Sequence, residues 1–248
     1  MSRRVNMFID IHTHILAGCD DGPENDGQMY RLIKALYDDG IRKVCCTPHY
    51  HPGYYGNNFD KAAESFRRLQ TYIRQKEMDM QIFPGNELHY FQGCLEWIEK
   101  GSCRTLNGTR YVLVDFDTEE DYKTIAYAVR TLLNVGYIPV LAHVERYPCF
   151  GRRNSLIEKL RDMGAVIQIN AASILKRYRK PLVKRLLRDK EVDMIASDTH
   201  DLETRPPLMG AAYREVTRKY GKEYADKIFV INPGHILESV HQEEWKSE

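Results

Sequence analysis

The chain has 248 residues, enough for one large α/β domain with a sizeable core. Its 36 Lys and Arg against 35 Asp and Glu leave a formal charge of +1, so no global field draws nucleic acid or an anionic membrane, and anion binding has to be local. Six cysteines (Cys19, Cys45, Cys46, Cys94, Cys103, Cys149) without C-x-x-C spacing exclude a disulfide framework and a cysteine zinc site, and predict free thiols.

The N-terminus Met-Ser-Arg-Arg-Val-Asn leads into an apolar stretch of about five positions interrupted by Asp10, too short for a signal peptide or a membrane helix. A soluble, cytoplasmic protein without membrane insertion is the expectation. Residues 7–11 read as a buried strand, and because strand side chains alternate faces, His12 and His14 project to the same side. Met29, Leu32, Ile33 and Leu36 then recur at helical spacing after Pro23, and a second strand follows at 43–47. Phe59, Ala62, Ala63, Phe66, Leu69 and Ile73 predict a helix with Asn58 as its cap, ahead of a third strand at 81–86 and a fourth at 111–115.

A helix carrying Ile125, Val129, Leu132 and Leu133 stops at Gly136, before a strand at 138–142; one carrying Leu156, Ile157, Leu160 and Met163 stops at Gly164, before a strand at 165–169. A strand at 193–197, a helix through Leu208, Ala211, Ala212 and Val216 toward Gly221, and a short late run at 228–231 complete the chain. Strand ends spaced about 27 to 40 residues apart are the cadence of β-plus-α units, and predict a parallel sheet closed as a distorted (β/α)7 TIM-like barrel, with residues 1–248 forming one domain whose core spans about 7–237.

In such barrels the working residues sit at the C-terminal ends of the strands. Those positions hold His12, His14 and Asp20-Asp21; Thr47-Pro48-His49; Gly85-Asn86-Glu87; Asp115; His143-Val144-Glu145-Arg146; and Ser197-Asp198-Thr199-His200 with Arg205 beyond. Only the sixth end, Gln168-Ile169-Asn170, offers no obvious ligand. Taken singly, each has an ordinary structural use: Asp115 and Asp198 as helix caps, Asp20-Asp21-Gly22-Pro23 as a turn, Arg146 and Arg205 as rim ion pairs. Their recurrence at successive strand ends points instead to one site holding two or three metal ions. The mixed N and O donors suit Mn, Fe or Zn better than Mg or Ca. Metal ions acidify bound water and neutralise phosphoryl or carbonyl charge, which is hydrolytic chemistry, and the two arginines on the same rim favour phosphate as the group hydrolysed.

Other segments carry less. Lys176-Arg177-Tyr178-Arg179-Lys180 with Lys184, Arg185 and Arg188 is a basic run that reads as a solvated helix face or a docking site for an acidic or phosphorylated partner. Tyr54 and Tyr55, in the Gly-rich loop after His49, are candidates to line a pocket for an aromatic group, and because they are not interleaved with the basic run they make no nucleic-acid platform with it.

The series Asp10-Ile11-His12-Thr13-His14, Asp20-Asp21-Gly22-Pro23, Thr47-Pro48-His49, Gly85-Asn86-Glu87, His143-Val144-Glu145-Arg146-Tyr147 and Ser197-Asp198-Thr199-His200 with Arg205-Pro206-Pro207 resembles the polymerase and histidinol phosphatase (PHP) superfamily. More narrowly, it looks like the bacterial PHP-type protein-tyrosine phosphatases of capsule and exopolysaccharide systems. The resemblance implies a distorted seven-stranded barrel, a trinuclear site with Mn2+ as the preferred ion, and a tyrosine kinase as the partner dephosphorylated. Carried over by position, His12, His14, Glu87 and Asp198 hold one ion, Glu87, Asp115 and His143 a second, and Asp21, His49 and His200 a third, with Asp20 open as an alternative to Asp21. Arg146 and Arg205 clamp the phosphate. Asp115 stands where relatives commonly carry Glu, and Val144 where Pro is common. No cysteine is followed six residues later by Arg, which argues against a thiolate phosphatase. A histidinol-phosphatase-type phosphomonoesterase shares nearly all these ligands and is the alternative enzyme. A catalytically idle kinase-docking module using the run around Arg177 is the alternative outside catalysis.

Overall fold

The hydrophobic period switches repeatedly between two and 3.6 along the chain, and a computed structural model, which describes residues 7–55, 58–151, 155–175 and 181–239, turns that pattern into alternating strands and helices. In order these are β1 (Phe8–Thr13), α1 (Asp26–Asp38), β2 (Ile41–Cys46), β3 (His49–Tyr50), α2 (Phe59–Gln75), β4 (Gln81–Pro84), β5 (Glu87–His89) and α3 (Cys94–Glu99). There follow β6 (Tyr111–Asp115), α4 (Tyr122–Asn134), β7 (Ile138–Leu141), α5 (Ser155–Asp162), β8 (Val166–Asn170), α6 (Ala171–Leu175), α7 (Pro181–Arg188), β9 (Met194–Ala196), α8 (Met209–Tyr220), α9 (Lys222–Asp226) and α10 (Asn232–Glu238).

All named pairings are parallel. β1-β2-β4 form a three-stranded sheet and β3-β5-β6-β7-β8-β9 a six-stranded one. A bridge between Thr13 and Thr199, with His14 N–H donating to the Thr199 carbonyl (2.9 Å) and Asp198 N–H to that of His12 (3.0 Å), ties the first strand to the segment after the last and curls the sheets toward one another. The third predicted strand, 81–86, stops at Pro84 as β4, and a further short strand, β5, follows after Gly85-Asn86. β3 is likewise separated from β2 by Pro48, which has no N–H to give to a ladder.

Parallel strands covered by helices are buried on both faces, which is why they read as apolar runs. Ile9, Ile11, Cys45, Leu113, Val140, Met194 and Ala196, drawn from successive strands, make one buried cluster. A larger one packs the apolar stripes of the helices, such as Met29, Leu32, Ile33 and Leu36, against the sheet. Truncating one such leucine to alanine costs about 3 kcal/mol.

Two expectations are corrected. The run at 228–231 is a wide helical turn, because Tyr224, Ala225, Ile228 and Phe229 bury a stripe at helical spacing. Asn58 precedes α2 but does not cap it; its amide donates to the carbonyls of Cys19 (3.1 Å) and His49 (2.9 Å), fixing two loops of the rim. All six cysteines are free, as expected. No helix among the described residues is long and apolar enough to cross a membrane. The basic segment 176–180 lies outside the described residues.

Candidate metal centre

The strand ends converge. Glu87, the first residue of β5, is wholly buried and lies within 3.0–3.2 Å of four imidazoles: His12 Nε2 (3.2 Å), His14 Nε2 (3.1 Å), His49 Nδ1 (3.0 Å) and His143 Nε2 (3.0 Å). Asp198 Oδ1 stands 3.5 Å from His12 Nε2 and 3.6 Å from His14 Nε2, and Asp21 Oδ1 is 3.2 Å from His200 Nε2 and 3.6 Å from His49 Nε2. Ligand atoms within 4.8 Å of one another fall into three groups: His14, Asp21, His49 and His200; His12, His14 and Glu87; and His49, Glu87 and Asp115. All nine sequence-predicted ligands thus border one site, but His14 and His49 are each shared between groups, and His143 reaches it through Glu87 rather than beside Asp115. His143 and Asp198 adopt positive φ (35° and 55°), a backbone strain of about 1–3 kcal/mol each that turns both side chains back over the strand ends.

Hydrogen bonding on the outer side of the rings decides what faces inward. His12 Nδ1 meets Gln168 Oε1 (3.3 Å), His14 Nδ1 meets Asp20 Oδ2 (2.7 Å), and His200 Nδ1 meets the Asp198 carbonyl (2.9 Å). Each partner only accepts, so each Nδ1 carries the proton and each Nε2 presents a lone pair. The lone pairs of His12 and His14 then oppose each other at 3.1 Å, which is repulsive unless a cation lies between them. Buried Glu87 Oε2, His49 Nδ1 and His200 Nε2 make no hydrogen bond of proper geometry despite the short approaches, so these atoms converge instead of pairing off. Such a donor set fits metal ions.

The charge balance says the same. Burial opposes ionising Glu87, but the imidazoles of His12 and His49 hold its carboxyl well below the usual range, and Asp198 is held down by His12 and Arg146. Burial and His49 oppose a charge on His14, yet Asp20 and Glu87 raise it to about 9; His49 is raised to about 9 against burial by Glu87. Carboxylates outweigh what burial tolerates, and positive charge is drawn between the rings. Asp115 is pushed up by burial and by Glu87.

Arg146 pairs with Asp198, and Arg205 Nη2 donates to Asp21 Oδ2 at 2.6 Å, so both guanidinium groups border the ligand set, each partly exposed.

Several supporting roles escaped the sequence reading, which left Asp20 open as an alternative ligand and found no ligand in Gln168 or Asn170. Asp20 is the outer partner of His14 and accepts from His49 N–H (2.9 Å), while Asp21 faces His49 and His200, so the two carboxylates of the doublet turn to different partners. Gly22 is required beside them, since a Cβ there would lie 2.1 Å from the His14 carbonyl oxygen. Strand β8 supplies Gln168, which also accepts from His143 N–H (2.8 Å), and Asn170, which donates to Asp198 Oδ2 (2.7 Å). His89 Nδ1 lies 3.2 Å from both oxygens of Asp115, and Asp10 Oδ1 accepts from Ser197 N–H (3.0 Å). The period-two spacing of Glu87 and His89, and of Gln168 and Asn170, was the available signal.

Residues 8–238 match the family model for capsular polysaccharide synthesis, CpsB/CapC. The chain belongs to the CpsB/CapC family. It is 33% identical over 238 residues to the tyrosine-protein phosphatase CpsB of Streptococcus pneumoniae, covering 93% of this chain and 98% of that one. It is 30% identical over 219 residues to the tyrosine-protein phosphatase YwqE of Bacillus subtilis (strain 168), covering 87% and 86%. A solved structure from work on YwqE of Bacillus subtilis and CpsB of Streptococcus pneumoniae, described as unique metal-dependent tyrosine phosphatases, superimposes with a TM-score of 0.86 at 28% identity, covering 94% of this chain and 95% of that one. A TatD-family hydrolase from Entamoeba histolytica shares the fold alone, with a TM-score of 0.59 at 11% identity over 94% of this chain and 99% of that one.

Proposed function

We propose that this CpsB/CapC family member is a metal-dependent protein-tyrosine phosphatase that hydrolyses phosphotyrosine on a tyrosine kinase controlling capsule or exopolysaccharide synthesis, in the cytoplasm. The observation that carries the metal chemistry is the set of inward lone pairs on His12 and His14 beside Glu87 and on His200 beside Asp21, locked by acceptors behind the rings. We assign His12, His14, Asp21, His49, Glu87, Asp115, His143, Asp198 and His200 as ligands, Mn2+ as the ion in two or three copies, and residues 1–248 as one domain with its strand–helix units arranged as a distorted seven-fold barrel.

When bound, the ions supply a water acidified toward neutral pH and offset the charge of the phosphoryl group. The chain's own residues do the rest. Arg146 and Arg205 stand where an incoming phosphate meets the ligands, and each can exchange or share its carboxylate for non-bridging phosphoryl oxygens. Asp20, Gln168 and Asn170 keep the ligands in register, so little reorganisation accompanies the reaction. The departing tyrosine oxygen has a pKa near 10, so it leaves with less help from an acid than an alkoxide needs. No thiol takes part: burial raises Cys19 to about 12, and the partly exposed Cys149 to about 11.

The test is turnover of a phosphotyrosine peptide beside histidinol phosphate. Peptide hydrolysis lost in chelator and restored by Mn2+ is expected. Preference for histidinol phosphate would favour a small-molecule phosphomonoesterase. Full metal loading with no hydrolysis of any aryl phosphate would leave only a docking module.

A further inference from the structure

Outside the ligand set, the most unusual surface of the molecule is a ladder of aromatic rings on the rim. Tyr54 is the most exposed large hydrophobic side chain among the described residues, 71% accessible, and Tyr55 is 37% accessible. Neither floats free of the site. The Tyr55 ring stacks on that of His49 at 4.9 Å and 8°. Tyr54 packs on His51 (4.4 Å) and meets His89 edge-on (5.9 Å, 83°), and His51 meets both His89 (5.6 Å) and Phe91 (4.9 Å) edge-on. His89 in turn contacts Asp115. The rings are therefore anchored to the centre through His49 and Asp115, whereas Arg146 and Arg205 are anchored through Asp198 and Asp21.

Two different chemistries border one site by different ligands. The guanidinium groups suit the phosphoryl oxygens, and the rings suit a flat apolar group attached to the ester oxygen.

Resting on the phosphotyrosine reading above, we propose that Tyr54, Tyr55, His51 and Phe91 form an aryl-binding wall that receives the substrate's phenol ring and selects aryl over alkyl phosphate esters. A phenol ring entering at the usual 4.5–7 Å centroid spacing gains about 0.5–1.5 kcal/mol per ring it meets, or about two- to twelvefold in binding, whereas the methylene of a serine ester offers almost no such area. Tyr54 and Phe91 lie outside the assigned ligands, so their rings can be removed without touching the metal set. They are binding residues, and their effect belongs in KM.

The experiment uses the Mn2+-loaded full chain and its Tyr54→Ala, Phe91→Ala and Tyr54→Phe variants. It measures phosphotyrosine-peptide kinetics, calorimetric affinity for a peptide carrying the non-hydrolysable phosphonomethyl-phenylalanine, and competitive inhibition by inorganic phosphate. In both alanine variants KM rises and phosphonate affinity falls by about fivefold. Meanwhile kcat, bound metal and the inhibition constant of inorganic phosphate hold, and Tyr54→Phe behaves as wild type. Unchanged KM and phosphonate affinity in both alanine variants, or an equal loss for inorganic phosphate, overturns the wall while leaving the phosphatase reading intact. A metal-loaded wild type that hydrolyses no phosphoester and does not bind the phosphonate removes both.

Discussion

The floor of the site and its rim are made of different residue types and are held in different ways. On the floor, Glu87, His12, His14 and Asp198 are buried, and three of them are held by a neighbour: Gln168 behind His12, Asp20 behind His14, Asn170 on Asp198. On the rim, Arg146 and Arg205 are partly exposed and touch the site through a single carboxylate each. A floor fixed from behind presents its lone pairs before any ion arrives, whereas rim cations that hang on one partner can move to a substrate oxygen. Rigid placement of this kind suits a metal site, and freedom of this kind suits capture of an anion.

The largest break falls on the floor. Glu87→Ala removes the one carboxylate shared by four imidazoles, and activity is expected to drop by about a thousandfold or more together with most bound metal, as read by elemental analysis beside a phosphotyrosine assay. On the rim, Arg146→Ala is expected to lower kcat/KM by about a hundredfold with metal content unchanged. A variant that lost metal along with activity would place Arg146 on the floor instead. Between the two lies the support of the floor: Asp20→Asn is expected to weaken metal binding by about ten- to a hundredfold, with near wild-type kcat at saturating metal. Loss of kcat at saturation would make Asp20 a participant in the chemistry. The smallest effect is a deliberate zero. With its thiol raised to about 12 by burial and by Asp20, Cys19 stays protonated at about pH 8, and the same holds for Cys149 at about 11, so iodoacetamide is expected to leave activity intact.

The convergence of His12, His14, Asp198 and His200 was legible in the sequence because side chains on a strand obey a period of two and strand ends recur at regular intervals. What stands behind them was hidden, since Gln168 and Asn170 belong to a strand end that carries no ionisable group and reveal their use only when β8 lies between β7 and β9. The choice between Asp20 and Asp21 as the residue facing the other ligands likewise depended on which carboxylate the His14 ring turns to. Long amphipathic helices such as α1 were plain from their stripe. The run at 228–231 misled because a short apolar stretch fits either period, and only burial of Tyr224 and Ala225 one turn earlier marks it as helical. Asn58 has the acceptor oxygen of a cap, but its side chain is held through the NH2 group, which donates to two loop carbonyls, a use no local pattern predicts.

The measurement that bears most directly on the whole reading is the metal content of the purified full chain, taken before and after chelation and Mn2+ reconstitution, with phosphotyrosine-peptide hydrolysis followed on the same samples. Two to three ions per chain, lost and regained in step with activity, is the expected result. Phosphotyrosine hydrolysis that persists in a sample free of metal would contradict it.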